Sequence, residues 1–244
     1  MVLTDQVRQG CRSIAESARF VSIDLDRLAE LEPGPPPALD AEHHYLEASP
    51  EDVADYLLVL DSINFGSGWF PTLRKRAGLS GYFTIASALT ERWRDAGPWL
   101  SSELRALKAA DVAAVLGQEP DHELIGLYAE ALRDLGRFLA ARRSLDLVAE
   151  AEGSAERFAS MLAAGMPFFD DRGFWKRAQI AANDLALAGV AEFCDLDRLT
   201  IFADNLVPHV LRVDGVLRYD PALAARIDAG ELLPPGEEER EIRA

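Results

Sequence analysis

The strongest constraint on how this chain folds is the spacing of its apolar residues. They recur every three or four positions through 3–20, 83–94, 101–116, 122–140, 154–164, 174–188 and 221–229. Side chains returning at that interval share one face of an α-helix, so each segment predicts a helix with a face to bury. "SPEDVADYLLVLDSINF" adds a start signal. Ser49 fits the N-cap, Pro50 the first helical position and Asp52 the first turn, and Val53, Tyr56, Leu57 and Leu60 follow at helical spacing. No sustained period-two pattern and no Asn-Gly hairpin signal interrupts this. The expected fold is all-α, a single helical domain with strand only in short extensions. A chain of 244 residues, 49% hydrophobic, is long enough to bury the core such a domain needs.

Breaks in the pattern separate the helices. "EPGPPPALDAEHHYLEASP" (32–50) concentrates proline and reads as an extended connector, "INFGSGWFP" (63–71) is a glycine-broken turn carrying three aromatics, and "MPFFDDRGFW" (166–175) is a second aromatic turn. No apolar run approaches the ~20 residues of a membrane-spanning helix, and "MVLTDQVRQGCRS" lacks the basic-then-apolar order of a signal peptide. A cytoplasmic protein without a membrane partner is expected. Cys11 and Cys194 are too few for a disulfide framework and are expected to be buried thiols.

Charge excludes one class of partner. With 41 acidic against 25 basic side chains the net charge is −16, and a surface of that sign repels a polyanion, so intact nucleic acid is not expected as a ligand. A small anion held by a few focused cations remains compatible. The histidines (His43, His44, His122, His209) and the cysteines show no HExxH or paired-cysteine spacing, so no metal is expected. "FGSGW" lacks the spacing and lysine of a phosphate loop, and no GxSxG elbow offers a serine nucleophile.

What remains is a set of polar residues in apolar company: Asp61, Asn64, Lys176, Asp184 and Asp204. Lys176 and Asp184 are eight positions apart, about 80° beyond two full helical turns, so both can border one cleft; a solvated lysine and a surface pair fit the same spacing. Asp204 stands in the apolar run "TIFADNLVPHVL". It either caps the helix that Pro208 helps to start or meets a cation in a cleft.

Four blocks in order, "LVLDSINF" (58–65), "SGYFTIASAL" (80–89), "FWKRAQIAANDL" (174–185) and "TIFADNLVPHVLRVDGVLRYDPALAARIDAGELLPPGEEEREIRA" (200–244), resemble the queuosine salvage protein family from about His44 onward. The resemblance implies an all-helical fold similar to helix-hairpin-helix DNA glycosylases and a cofactor-free N-glycosidase. Its implied substrate is a small nucleotide, queuosine 5′-phosphate, cleaved to queuine and ribose 5-phosphate; the alternatives are an N-glycosidase of another modified nucleoside or nucleotide and a non-catalytic base- or nucleotide-binding homologue. It assigns Asp204 as the catalytic aspartate of the "FAD" motif and Lys176 to orienting Asp204 or binding the ribose phosphate. Phe202 and His44 match base-contacting positions, with His43 the alternative if the register is one residue off. Asp61, Asn64 and Asp184 are then candidates for pairing with the substrate, and Phe65 and Trp69 for stacking on the base, although plain core packing explains these two aromatics equally well.

The chemistry is consistent. Breaking an N-glycosidic bond develops positive charge at C1′ and the ring oxygen, which a nearby carboxylate stabilises or attacks. A 7-deazapurine has no N7 to protonate, so more of the work falls on electrostatics at the sugar. The sequence departs from the family's pattern at "FADNLVPH", where Asn205, Leu206 and His209 replace an aromatic, an arginine and a glutamine, and at "NFGSGWF", where the tryptophan is displaced. The lost arginine removes a bidentate anion donor, and "RKR" (74–76) is either its replacement or a solvated charge cluster. The chain also stops at "EIRA", where the family continues through a further helical segment.

Overall fold

The computed structural model describes residues 2–32, 34–35, 37–171 and 173–244. Pro33 and Pro36 of the expected connector and Arg172 of the second aromatic turn lie outside them. In chain order the elements are α1 (Leu3–Ser17), β1 (Val21–Ile23), α2 (Leu25–Ala29), α3 (Pro50–Ser62), α4 (Gly81–Ala96), α5 (Ser101–Ala106), α6 (Ala109–Leu116), α7 (Glu123–Leu139), α8 (Ser144–Glu150), α9 (Ala155–Gly165), α10 (Lys176–Leu187), α11 (Leu206–Val213), β2 (Leu217–Tyr219), α12 (Pro221–Asp228) and α13 (Glu237–Arg243), with short 3₁₀ turns at Ser67–Thr72, Pro167–Phe169 and Leu196–Arg198. The chain is predominantly helical. No helix among the described residues is long and apolar enough to cross a membrane.

The chain divides into two compact units, residues 1–36, 172–176 and 200–244 in one and 37–171 and 177–199 in the other. In the larger unit α3 is the hub, and every residue from Val53 to Ser62 is buried. Its start follows the sequence signal: Ser49 Oγ accepts the Asp52 N–H at 3.2 Å with Pro50 at the first helical position. Tyr56, Leu57 and Leu60 pack into a core with Leu89, Trp93, Leu132 and Leu135, each worth about 1.5–3 kcal/mol for full burial. Asp55, also buried, pairs with the Arg143 guanidinium and accepts the Ser144 N–H at 3.0 Å, which fastens the head of α8 to α3. The expected helix over 101–116 is two helices. Leu107 and Lys108 are extended, because Asp111 accepts the Lys108 N–H at 2.8 Å to cap α6 and Arg133 donates to the freed Leu107 carbonyl at 2.9 Å.

In the smaller unit a two-stranded antiparallel ribbon pairs Val21 with Tyr219, Ser22 with Arg218 and Ile23 with Leu217. Among the described residues this ribbon, three residues to a strand, is the short strand content expected beside the helices. Glu241 of α13 holds its edge, accepting the N–H groups of Arg19, Phe20 and Val21 at 3.0, 2.7 and 3.0 Å. The cysteines depart from expectation: Cys11 is only half-buried and Cys194 is exposed.

Gly136 in α7 faces the backbone of α5. A Cβ there would lie 2.8 Å from the Arg105 nitrogen, the Ser101 oxygen and Leu104 Cβ. Helix propensity alone favours Gly136→Ala by about 0.5–1 kcal/mol, whereas overpacking against a helix backbone costs about 1–3 kcal/mol. The packing term is the larger. Thermal unfolding of Gly136→Ala is expected to show a midpoint lowered by roughly 2–8 °C, and a raised midpoint would mean α5 yields freely.

Candidate active site

The larger unit brings three of the sequence-predicted residues together around a fourth that sequence reasoning missed. His44 leaves the 40–45 loop and is only 3% exposed, Asp61 near the end of α3 is 1% exposed and Asp184 on α10 is 9% exposed. The residue they share is Tyr82, in the first turn of α4. Burial pushes its phenol well above the ordinary tyrosine range, and the negative charges of Asp61 and Asp184 push it further. His44 Nδ1 lies 2.7 Å from the Asp40 carbonyl and Nε2 lies 2.9 Å from the Tyr82 hydroxyl. A carbonyl can only accept, so Nδ1 carries the proton. Burial lowers the His44 pKa and keeps the ring neutral, so Nε2 accepts and Tyr82 donates. Asp184 also accepts from Asn183 Nδ2 at 3.2 Å.

The adjacent His43 is held separately. Its Nδ1 lies 2.9 Å from Ser87 Oγ, and its carbonyl accepts from Thr90 Oγ1 at 2.9 Å. Thr90 in turn meets the Tyr56 hydroxyl at 2.8 Å, so α3 and α4 together fix the loop that presents both histidines. Between the two neighbours, it is His44 that reaches Tyr82.

Asn64 and Phe65 follow α3 in a turn completed by Gly66, whose φ of +89° and approach to Leu124 leave no room for a Cβ. The glycine of "NFGSGWF" is therefore a backbone requirement. Phe65 stacks on Phe168 at 5.5 Å, lies perpendicular to the Tyr128 ring at 5.1 Å and has the Arg177 guanidinium 4.6 Å from its centre. The Tyr128 hydroxyl donates to the Phe65 carbonyl at 2.9 Å. Trp69 is half-buried, its Nε1 donating to Glu123 at 3.1 Å. In the "RKR" cluster Arg74 pairs with Glu119, and Arg76 forms a two-pronged pair with Glu91 at 2.6 and 2.7 Å.

Asp204, Phe202 and Lys176 belong to the smaller unit. Asp204 takes the capping role: its Oδ1 accepts the N–H groups of Leu206 and Val207 at 2.9 and 2.8 Å, and its own N–H closes a tight turn onto the Phe202 carbonyl at 2.7 Å. Oδ2 takes no hydrogen bond from the described residues. Arg243 of α13 steadies this segment, donating Nε to the Ala203 carbonyl at 3.2 Å while its guanidinium sits 4.2 Å over the Phe174 ring. Phe202 lines a cavity of about 540 Å³ with Ile14, Ala203, Val207, Pro208 and Leu211, which falls within the ~300–1,000 Å³ of ligand pockets. Lys176 is the first residue of α10, the helix that also carries Asp184. Among the described residues no three histidine, cysteine, aspartate or glutamate side chains converge as metal ligands would.

Comparison with known proteins matches the family described as queuosine salvage protein over residues 43–244. A relative from Sphaerobacter thermophilus named queuosine 5′-phosphate N-glycosylase/hydrolase is 36% identical, over 96% of this chain and 80% of its own. Proteins of the same name from Nematostella vectensis and Bos taurus are 33% and 28% identical, over 84% and 97% of this chain and 66% and 80% of theirs.

The cap geometry predicts how Asp204 substitutions partition. Asparagine caps about as well as aspartate, whereas alanine costs about 0.5–2 kcal/mol. Urea unfolding should show Asp204→Ala destabilised by roughly 1 kcal/mol and Asp204→Asn close to the parent. Equal losses in both would mean that the carboxylate charge, not the cap, stabilises the turn.

Proposed function

The chain belongs to the queuosine salvage protein family, and on that premise we propose that it is an N-glycosidase hydrolysing queuosine 5′-phosphate to queuine and ribose 5-phosphate. The observation that carries this reading is the 36% identity with a protein of that name over nearly the whole chain. The further proposals are that the chain acts as one domain, that its helices follow the helix-hairpin-helix DNA glycosylase plan, and that it works in the cytoplasm on the free nucleotide, not on tRNA. The net charge of −16 supports the last of these.

In this reading Asp204 faces C1′. As the bond to the base lengthens, positive charge spreads over C1′ and the ring oxygen, and a fixed carboxylate lowers that state more than the neutral ground state. Two backbone N–H bonds on Oδ1 hold the group without consuming Oδ2, which is the oxygen assigned to the sugar. A carboxylate fixed before the reaction needs no reorganisation during it. Lys176 is assigned to orienting Asp204 or to the ribose phosphate, since hydrolysis requires no amine nucleophile. Phe202 is assigned to the base, supported by its place on the wall of the cavity. His44, Asp61, Asn64 and Asp184 are assigned to polar recognition of the base, and Phe65 and Trp69 to its faces. The Phe168 and Arg177 neighbours of Phe65 favour an indirect part for that ring, as a wall under the recognition residues.

Asp204→Asn keeps the cap and removes the charge. Its release of queuine from queuosine 5′-phosphate, followed by chromatography, is expected to fall at least ~10³-fold, the scale of losing a principal electrostatic stabiliser, with the folded state intact. Turnover within tenfold of the parent would remove Asp204 from the reaction.

A further inference from the structure

A carboxylate that stabilises a transient cation must be aimed before the bond breaks, and the peptide that carries Asp204 is held from both sides. Its N–H donates to the Phe202 carbonyl at 2.7 Å, and its C=O, that of Ala203, accepts from Arg243 Nε at 3.2 Å. A planar peptide fixed at both of these groups has little freedom to rotate, so the Cα–Cβ bond of Asp204 leaves in one direction. The cap bonds from the Leu206 and Val207 N–H groups then set the carboxylate on that side chain. The bond to Phe202 belongs to the turn itself. Arg243 reaches the turn from forty positions later in the chain.

Arg243 is itself well placed to act as a fixed point. Its guanidinium lies 4.2 Å over the ring of Phe174, a side chain only 3% exposed, and its Nη1 donates to Glu239 one helical turn earlier at 3.0 Å. A flat group bounded by a ring face, a carboxylate and a carbonyl keeps little freedom to turn. Helix α13, which Arg243 ends, is anchored as well: Glu238 accepts from Arg226 of α12 at 2.9 and 2.8 Å, and Glu241 grips the edge of the ribbon. All of these residues lie in the smaller unit.

We propose that Arg243 is a positioning residue for the reaction, pinning the Ala203 carbonyl and thereby aiming the Asp204 carboxylate. The inference rests on the function proposed above for the part Asp204 plays. A misaimed carboxylate loses its hold on charge that exists only in the transition state, so the loss falls on kcat and not on KM.

Two variants separate this from a general loosening of α13. Arg243→Met keeps the stem and its packing while removing the donor and the charge. Glu241→Gln weakens the grip of the same helix on the ribbon and leaves the bonds of the Asp204 turn in place. Turnover of queuosine 5′-phosphate would be measured for the parent and both variants, together with amide hydrogen exchange at Leu206 and Val207 by NMR. In Arg243→Met, kcat is expected to fall about 10–100-fold, the scale of a small misplacement of a reacting group, with KM within about threefold. The two cap amides should exchange about fivefold faster, the scale of one lost hydrogen bond. Glu241→Gln should lower the melting temperature while kcat and both exchange rates stay within about threefold of the parent. Parent-like kcat or parent-like exchange in folded Arg243→Met would overturn the proposal. So would a raised KM in place of a lowered kcat, or Glu241→Gln matching Arg243→Met in both readouts. A parent that releases no queuine would count against the reaction, and the exchange rates would still decide whether Arg243 holds the turn.

Discussion

An ionisable or strongly polar side chain taken into a helical interior must bring its hydrogen-bond partners with it, because an unpaired buried charge costs several kcal/mol. That constraint sets the architecture of both units. In the larger one, Asp55 enters the core with Arg143 and the Ser144 N–H, and by doing so fixes where α8 begins. Asp195 does the same for α9, accepting from Ser154 Oγ and the Ala155 N–H at 2.6 Å each. In the smaller one, the Glu241 carboxylate gathers three consecutive N–H groups at the start of the ribbon. These carboxylates are joints between elements, and Asp55, the buried one among them, is left as a stranded charge if Arg143 is lost.

The same rule separates the two kinds of functional group. Asp204 satisfies one oxygen with backbone at the head of α11 and holds the other in reserve. The orienting bonds come from the peptide chain, so the carboxylate cannot turn without breaking the turn that contains it. His44 and Tyr82 are satisfied in series instead, from the Asp40 carbonyl through the imidazole to the phenol. A chain of that kind fixes the sense of every donor along it. One arrangement leaves a carboxylate oxygen without a hydrogen bond from the described residues, and the other directs the phenol proton to an imidazole nitrogen.

Local signals were legible in the sequence and tertiary ones were not. Ser49, Pro50 and Asp52 announce α3 because a cap is written in adjacent residues, and the two possibilities for Asp204, cap or cleft, included the cap that forms. The break at Leu107 and Lys108 was hidden because neither residue is a helix breaker; Arg133, distant in sequence, stabilises the freed carbonyl. The ribbon joins residues 21–23 to 217–219, a pairing with no local signature. Short helices such as α2, α8 and α13 give too few turns for a period to show. Tyr82 sits inside "SGYFTIASAL", yet nothing in that block distinguishes it from core, since the partner of its hydroxyl, His44, lies thirty-eight positions earlier. The exposure of Cys194 is likewise a tertiary fact.

The proposed reaction is a single bond cleavage on a free nucleotide. Its most direct measurement is incubation of the purified protein with queuosine 5′-phosphate beside the unphosphorylated nucleoside, resolving base, sugar and nucleotide by chromatography with mass detection. Queuine and ribose 5-phosphate are expected in equal amounts from the phosphorylated substrate, faster than base release from the nucleoside. Intact queuosine 5′-phosphate after prolonged incubation with folded protein would contradict it.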